Sequence, residues 1–409
     1  MYNVAMYEEM TADQKAADKQ IEEWFNKSTE QVFVLTGYAG TGKTTLLKHT
    51  VCDTLKLVPD ESAAFVTPTG KAATVLIKSG TPACTIHRLI YQSITEIVKV
   101  EINGKTVEVE KLRFRRRDSI DKKIKLIVLD EASMVSDDVM WDLLRFGVKL
   151  LLCGDNAQLP PVEGFNTYLK EPNCTLRQIV RQQQDNPIIM LSELAREGKY
   201  IRNGSYGNAV AVISRNAFMG ERRKNYLTKA DQIICGINKT RTIINDEIRA
   251  MKGFSTLPEN GDKLICTYNN WDQFIDDDAR FNLVNGIIGT CIDPFFDKSK
   301  DIGFMQFIPD FVGKVCPEAL PFDTGIFTDG NYRYKVSDYF EKFDENNESV
   351  GAFKLNRFEY AYCISCHKAQ GSEFNNVVVF DESYAFREDR ARWLYTAITR
   401  AKNKLILVR

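Results

Sequence analysis

Short unbroken apolar runs alternate with stretches of helical period along most of this chain. Thr11 is placed to cap a helix spanning roughly 8–29, with Ala16, Ile21, Trp24 and Phe25 at helical spacing. The apolar runs that follow are Val32-Phe33-Val34-Leu35, Ala63-Ala64-Phe65-Val66, Leu126-Ile127-Val128-Leu129 and Leu150-Leu151-Leu152-Cys153. Runs of this kind, separated by helices, predict a parallel sheet covered on both faces. A second α/β unit begins near residue 174, with a helix over Ile188 to Arg196, a strand over Asp231 to Gly236 and a helix through Asn245 and Ile248. It resumes at 361–366 and 377–380, then a helix over Trp393 to Arg400 leads to a strand at Leu405-Ile406-Leu407-Val408.

Two segments break this rhythm. Val98 to Val109 alternates polar and apolar residues on both sides of Asn103-Gly104, the pattern of a β-hairpin with a two-residue turn. That closure sets Val100 against Val107 and Lys99 against Glu108. Arg113, Arg115, Arg116 and Arg117 follow, and a solvated basic face is the commoner meaning of such a run. From 254 to 355, Gly, Asp, Phe and Asn recur among short alternating runs such as Tyr332-Arg333-Tyr334-Lys335-Val336, with a turn at Asn285-Gly286. This reads as an all-β insertion.

The chemistry gathers where strands end, the edge on which α/β sheets carry their ligands. Gly37-Tyr38-Ala39-Gly40-Thr41-Gly42-Lys43-Thr44 joins the first strand to a helix opening at Thr45. In that context G-x-x-x-x-G-K-T is a phosphate loop, whose backbone N–H groups and helix dipole bind a triphosphate. Lys43 would reach the outer phosphates and the Thr44 hydroxyl would hold Mg²⁺. Asp130-Glu131 ends another strand. Asp130 would share the Mg²⁺ and Glu131 would deprotonate the attacking water, although paired acids at a strand end can also be a solvated turn. Gln158, after Gly154-Asp155, is placed to feel the γ-phosphate, and Arg181 and Arg400 could each be a charge-stabilising finger from the second unit.

Composition narrows little further. Lys plus Arg is 54 against 55 Asp plus Glu, so a polyanion groove would need local clustering. The 409 residues allow more than one domain. No basic n-region leads into an apolar stretch at Met1, and no apolar run approaches membrane-spanning length, so a soluble protein is expected. The ten cysteines mostly lie in apolar segments, as small hydrophobes do. Cys363-Ile364-Ser365-Cys366-His367 matches the haem-attachment string, but the export such maturation needs has no signal here, and zinc lacks a second ligand pair.

Seven motifs together carry a resemblance: Gln14, the phosphate loop, Thr67-Pro68-Thr69-Gly70-Lys71-Ala72-Ala73, Asp130-Glu131-Ala132-Ser133-Met134, Gly154 to Pro160, His367-Lys368-Ala369-Gln370-Gly371-Ser372-Glu373, and Tyr395 to Arg400. Their order resembles superfamily 1 DNA helicases, and the acidic and His-Lys boxes resemble the 5′-to-3′ branch, superfamily 1B, with its Dda-like and RecD-like enzymes. The resemblance implies two RecA-like P-loop domains, at 1–88 with 122–173 and at 174–253 with 356–409. Residues 89–121 would be a hairpin insertion in the first, and 254–355 a small SH3-like insertion in the second. It implies an ATP- and Mg²⁺-dependent helicase of replication, recombination or repair, a monomer in the cytoplasm of a bacterium or phage-infected cell. Its partners would be single-stranded DNA and single-/double-strand junctions, a single-strand-binding or replication protein being a further candidate, with no membrane. Gln14 would read adenine, and Gly37, Ala39, Gly40, Thr41, Gly42 and Thr45 would complete the nucleotide cradle. Gly371 and Glu373 would contact phosphate and ribose. Pro68, Thr69, His87, Asn238, Ser365, His367 and Lys368 would line the DNA path, and the hairpin would be the wedge that splits the duplex. Ser365 stands where relatives usually carry Thr, and the Asn103-Gly104 tip offers no aromatic to stack on a base. A single-strand translocase that strips bound proteins, or the motor subunit of a helicase–nuclease complex, would share most of these motifs.

Overall fold

The computed structural model describes residues 10–102, 105–161, 164–180, 185–278, 281–297, 301–328, 339–343 and 349–409. The Asn103-Gly104 turn, Arg181 and the 332–336 run lie outside the described residues, as do the side chains of Val100, Val107 and Glu108. The chain packs as two compact units. One comprises Met1–Tyr91, Arg116–Arg241 and Ile364–Arg409, and the other Gln92–Arg115 and Thr242–Cys363.

The first unit contains both α/β sheets. In one, six parallel strands run in the order Cys84–Thr85, Ala63–Thr67, Leu126–Leu129, Lys149–Gly154, Val32–Gly37, Cys174–Leu176. The central strands are buried on both faces, which is why they read as continuous apolar runs. One core layer gathers Ile21, Trp24, Phe33, Leu35, Leu46, Phe65 and Leu151, and the opposite layer Val34, Ile86, Ile127, Leu129, Met140 and Leu152. Successive residues of one strand thus feed opposite layers, as the two-residue side-chain period requires. The other sheet runs Cys363–Ser365, Gln232–Cys235, Phe374–Phe380, Ala401–Val408, Val210–Ile213, Gly204–Tyr206, antiparallel only at the last pair among the registers described. These are the two RecA-like folds.

The helix expected behind Thr11 runs over Ala12–Lys27 and carries a full capping box. Gln14 N–H donates to Thr11 Oγ1 (3.2 Å) and Thr11 N–H to Gln14 Oε1 (2.9 Å). Ala17, not Ala16, faces the core.

In the second unit five antiparallel strands run Leu320–Asp323, Ile302–Pro309, Ile288–Asp297, Lys263–Cys266, Phe358–Tyr360 around Leu264, Phe307, Phe322 and Phe358. The buried Arg249–Asp262 pair (3.0 Å) and the Tyr362 hydroxyl, which donates to Asp262, tie the helix Asn238–Lys252 to this sheet.

The hairpin is longer than its turn signal indicated. Its strands are Tyr91–Ile102 and Lys105–Arg116. Arg113, Arg115 and Arg116 therefore lie on its second strand instead of following it. Arg113 pairs with Glu96 (2.8 Å), Arg116 with Asp142 (2.9 Å), and Arg117 Nε donates to Tyr91 O. Phe114, near the hairpin base, meets the Trp271 ring edge-on with centroids 4.7 Å apart, within the second unit. No helix of the described residues is long and apolar enough to cross a membrane.

Candidate nucleotide site and nucleic-acid path

The phosphate loop leaves Val32–Gly37 and enters the helix Lys43–His49. Gly40 and Gly42 hold φ of 79° and 72°, left-handed values that a side chain resists. A Cβ at Gly42 would also lie 2.6 Å from Gln14 Nε2. That amide donates to Thr41 O at 3.0 Å, so Gln14 braces the loop while its oxygen closes the helix cap. One N–H and one lone pair of the amide remain for a ligand. Asp18, buried four residues on, accepts from the hydroxyls of Thr50 and Thr54 and locks the same helix onto the phosphate-loop helix. Lys43 Nζ lies over the loop, donating to Gly37 O (2.8 Å) and Tyr38 O (3.1 Å).

Thr44 Oγ1 donates to Asp130 Oδ2 at 3.1 Å. The strand ending before Asp130 lies one strand away from the phosphate-loop strand, with Lys149–Gly154 between them. An exposed hydroxyl and a buried carboxylate converging here are the oxygen donors Mg²⁺ takes, so the residues fit the ion the fold implies. Glu131 follows with φ 56°, a left-handed non-glycine residue in the turn that aims its side chain. Removal from solvent pushes the carboxyls of Asp130 and Glu131 above their ordinary range. Asp130's charge adds to the effect on Glu131, and the charges of Arg400 and Lys43 oppose it. Asn166 Nδ2 clamps the turn by donating to Ala132 O and Val135 O.

Gln158 is buried, and its Oε1 has no hydrogen-bond partner among the described residues. Arg400 is buried as well, with Nε donating to Thr396 O and the terminal nitrogens to Ser372 O and Thr399 Oγ1. Its charge nevertheless bears on Glu131, while Thr44 and Asp130 meet directly and Lys43 lies over the phosphate loop. Arg181 lies outside the described residues. Val180 N–H, one residue before it, donates to Gly40 O at 3.0 Å. Gly371 sits against Met134 and Thr69, where a Cβ would come within 3.3–3.4 Å of their side chains. Glu373 pairs with Lys402 at 3.0 Å. Among the described residues, neither hydrogen-bonds to the phosphate loop.

The residues assigned to the DNA path lie at or just after the carboxyl ends of strands. Pro68 and Thr69 follow Ala63–Thr67, and Thr69 Oγ1 caps the next helix at Ala72 N. His87 follows Cys84–Thr85, its ring 5.2 Å from that of Tyr91. Asn238 opens the helix after Gln232–Cys235. The buried Glu382 carboxylate fixes that helix end by accepting from Gly236 N, Ile237 N and Thr240 Oγ1. Ser365 caps the short helix that holds His367 and Lys368, and His367 lies 5.8 Å from Phe386, which stacks on Trp393. Burial holds both His87 and His367 below the ordinary imidazole value, with Asp389 opposing the effect at His367. Cys366 is buried against Trp393 O, all ten cysteines are free thiols, and the described residues contain no cluster able to hold a metal through three His, Cys, Asp or Glu side chains.

Several residues around the site carry no motif signal of their own. Arg196, Asp18 and Asn166 are the clearest cases, and Tyr395, although it opens the Tyr395–Arg400 motif, has no role that the motif assigns. A tyrosine amid the apolar face of Arg390–Ile398 was the available hint, since a buried phenol needs a partner.

Two parallel-sheet folds of RecA type, one presenting a phosphate loop beside an acidic pair, define a P-loop nucleotide-binding protein. The chain belongs to the AAA domain family, which matches residues 9–217, and a UvrD-like helicase C-terminal domain matches 360–408. It is 28% identical to the uncharacterized protein MJ1519 of Methanocaldococcus jannaschii over 97% of this chain and 38% of that one. To the ATP-dependent RecD2 DNA helicase of Deinococcus radiodurans it is 26% identical over 91% of this chain and 46% of that one. The chain thus spans less than half the length of these relatives. A solved structure of two Pif1 helicases on forked DNA shares the fold, with TM-score 0.50 and 16% identity over 97% of this chain and 92% of that one. The superfamily 1B resemblance drawn from the motifs is borne out by these matches.

Proposed function

We propose that this chain is an ATP-driven DNA helicase that moves 5′ to 3′ along single-stranded DNA and unwinds duplex at junctions. The observation that carries the reading is the phosphate loop joined to Asp130 through Thr44 and, through Ala39, to Tyr395 on the helix of the other RecA-like fold that leads to Arg400. ATP would enter this cleft, with Gln14 on the adenine and Lys43 and the loop amides on the phosphates. Mg²⁺ held by Thr44 and Asp130 would neutralise phosphate charge. Glu131, its carboxyl raised by burial, is suited to accept a proton from the attacking water, and Gln158 and Arg400 to meet the γ-phosphate. Arg181 takes the same role on the ground of its motif. Pro68, Thr69 and His87 from one fold and Asn238, Ser365, His367 and Lys368 from the other would grip the strand in turn as the cleft closes and reopens. The domain limits given above describe this motor, with the hairpin as its wedge.

A second reading, a translocase that unwinds little, is favoured by the hairpin tip, which has no aromatic residue. The test is ATP hydrolysis with and without oligonucleotide, followed by unwinding of matched duplexes carrying a 5′ or a 3′ single-stranded tail. Stimulated hydrolysis and unwinding from the 5′ tail are expected. Preference for the 3′ tail overturns the polarity, and hydrolysis indifferent to oligonucleotide overturns the motor.

A further inference from the structure

The phosphate loop is held at two consecutive residues by helices of the other RecA-like fold. Tyr395, fully buried on Arg390–Ile398, accepts from Ala39 N–H at 2.7 Å and donates to the Asp155 carboxylate. Arg196, the last residue of Pro187–Arg196, lays its guanidinium 3.7 Å from the centre of the Tyr38 ring. One position beyond Tyr395, Thr396 Oγ1 accepts from Leu159 N–H at 2.9 Å, while Gln370 Nε2 donates to Leu159 O at 2.8 Å. Both backbone groups of the residue after Gln158 are therefore taken by the same fold.

Building on the ATP-motor reading, we propose that Tyr395 is a positioning residue that ties the phosphate loop to the helix delivering Arg400. Two features make the tie stiff. The ring is enclosed, so the hydroxyl cannot leave Ala39 unless the helix moves with it. The Asp155 carboxylate fixes the phenolic proton in a charge-assisted bond, which turns the oxygen's lone pairs toward the Ala39 amide. Backbone amides of such a loop are the groups that meet phosphate oxygens, so a loop that rearranges around ATP changes the demand on Ala39 N–H. That change passes through one side chain to the helix that ends beside Arg400. Arg196 on Tyr38 holds the same stretch of loop from a second helix, so the tie has two points instead of one.

The test is Tyr395→Phe, which keeps the ring and removes only the oxygen, with Asp155→Asn as a second variant that keeps a neutral acceptor. Oligonucleotide-stimulated kcat for ATP should fall about tenfold in Tyr395→Phe, the loss expected for one buried hydrogen bond to a charged acceptor. KM for ATP should stay within about threefold, because the bond removed is not one to the nucleotide. The ratio of stimulated to unstimulated rate should fall in step, and Asp155→Asn should show a smaller drop in that ratio. A Tyr395→Phe protein with wild-type thermal stability and an unchanged ratio overturns the proposal. So does a large rise in KM with kcat intact, which would make Tyr395 a nucleotide-binding group. A wild-type protein unresponsive to oligonucleotide would instead fail the motor reading itself, and the proposal with it.

Discussion

On the helicase reading proposed above, Phe114→Ala should separate unwinding from translocation. Phe114 is near the base of the hairpin's second strand, and its ring meets Trp271 with centroids 4.7 Å apart and planes at 61°. Edge-to-face pairs of this kind contribute about 0.5–1.5 kcal/mol beyond the area they bury. Truncation should therefore weaken the hairpin's attachment to the all-β insertion by a factor of about 2–12 at 298 K. A two-stranded hairpin is marginal in isolation, so a wedge needs that support to resist the force of a closing duplex. The motif residues for ATP and single-stranded DNA all lie outside this contact. Duplex unwinding, followed as strand release from a 5′-tailed fork under single-turnover conditions, should slow several-fold. Oligonucleotide-stimulated ATP hydrolysis should stay within about twofold of wild type. Trp271→Ala should have the same effect, and the double variant should be little worse than either single one, since both remove one interaction. Unwinding at the wild-type rate would refute the buttress. A parallel collapse of ATP hydrolysis would refute the separation of wedge from motor.

Lys43→Ala should lower ATP hydrolysis more than about a hundredfold by removing a cation from the transferring phosphate, while fluorescence anisotropy shows single-strand binding retained. Glu131→Gln should reduce turnover by about 10²–10⁴ and accumulate an ATP-bound form, measured by single-turnover hydrolysis and nucleotide retention; near-normal turnover would exclude Glu131 as the base. Because burial lowers the pKa of both His87 and His367, these imidazoles should carry less charge at pH 6.0 than an ordinary histidine, which is mostly charged there. Protonation would add cations against the DNA backbone and steepen the salt dependence of binding. The log–log slope should therefore steepen by less than about 1 between pH 8.0 and pH 6.0, and a steepening of about 1 or more would show that the histidines titrate normally.

What the sequence made legible follows from how local each determinant is. The parallel strands could be read because strands buried on both faces, such as Leu126–Leu129, need apolar residues at every position. The phosphate loop could be read because its glycines answer to local backbone angles. The alternation between Val98 and Val109 indicated the two strands of the hairpin but not their length. Arg113 and Arg115 alternate with Phe114 along a strand that Arg116 ends, yet in one dimension the arginines look like a basic tail. Gln14 shows the same limit from the other side. Its place in the motif suggested adenine, whereas its role within the fold, capping a helix and bracing Thr41, needs the loop's backbone in view. Least legible was the seam between the two RecA-like folds. Tyr395 and Ala39 are 356 residues apart, and nothing near either position specifies the other. Such long-range polar contacts hold a shape only when every member is satisfied, because an unpaired buried group costs about 1–3 kcal/mol. On the motor reading, a cleft that opens and closes would break and remake some of them in each cycle. The contact of Arg196, a residue outside every motif, with Tyr38 is therefore a seam contact at which two chains with identical motifs could differ in how tightly hydrolysis is coupled to movement.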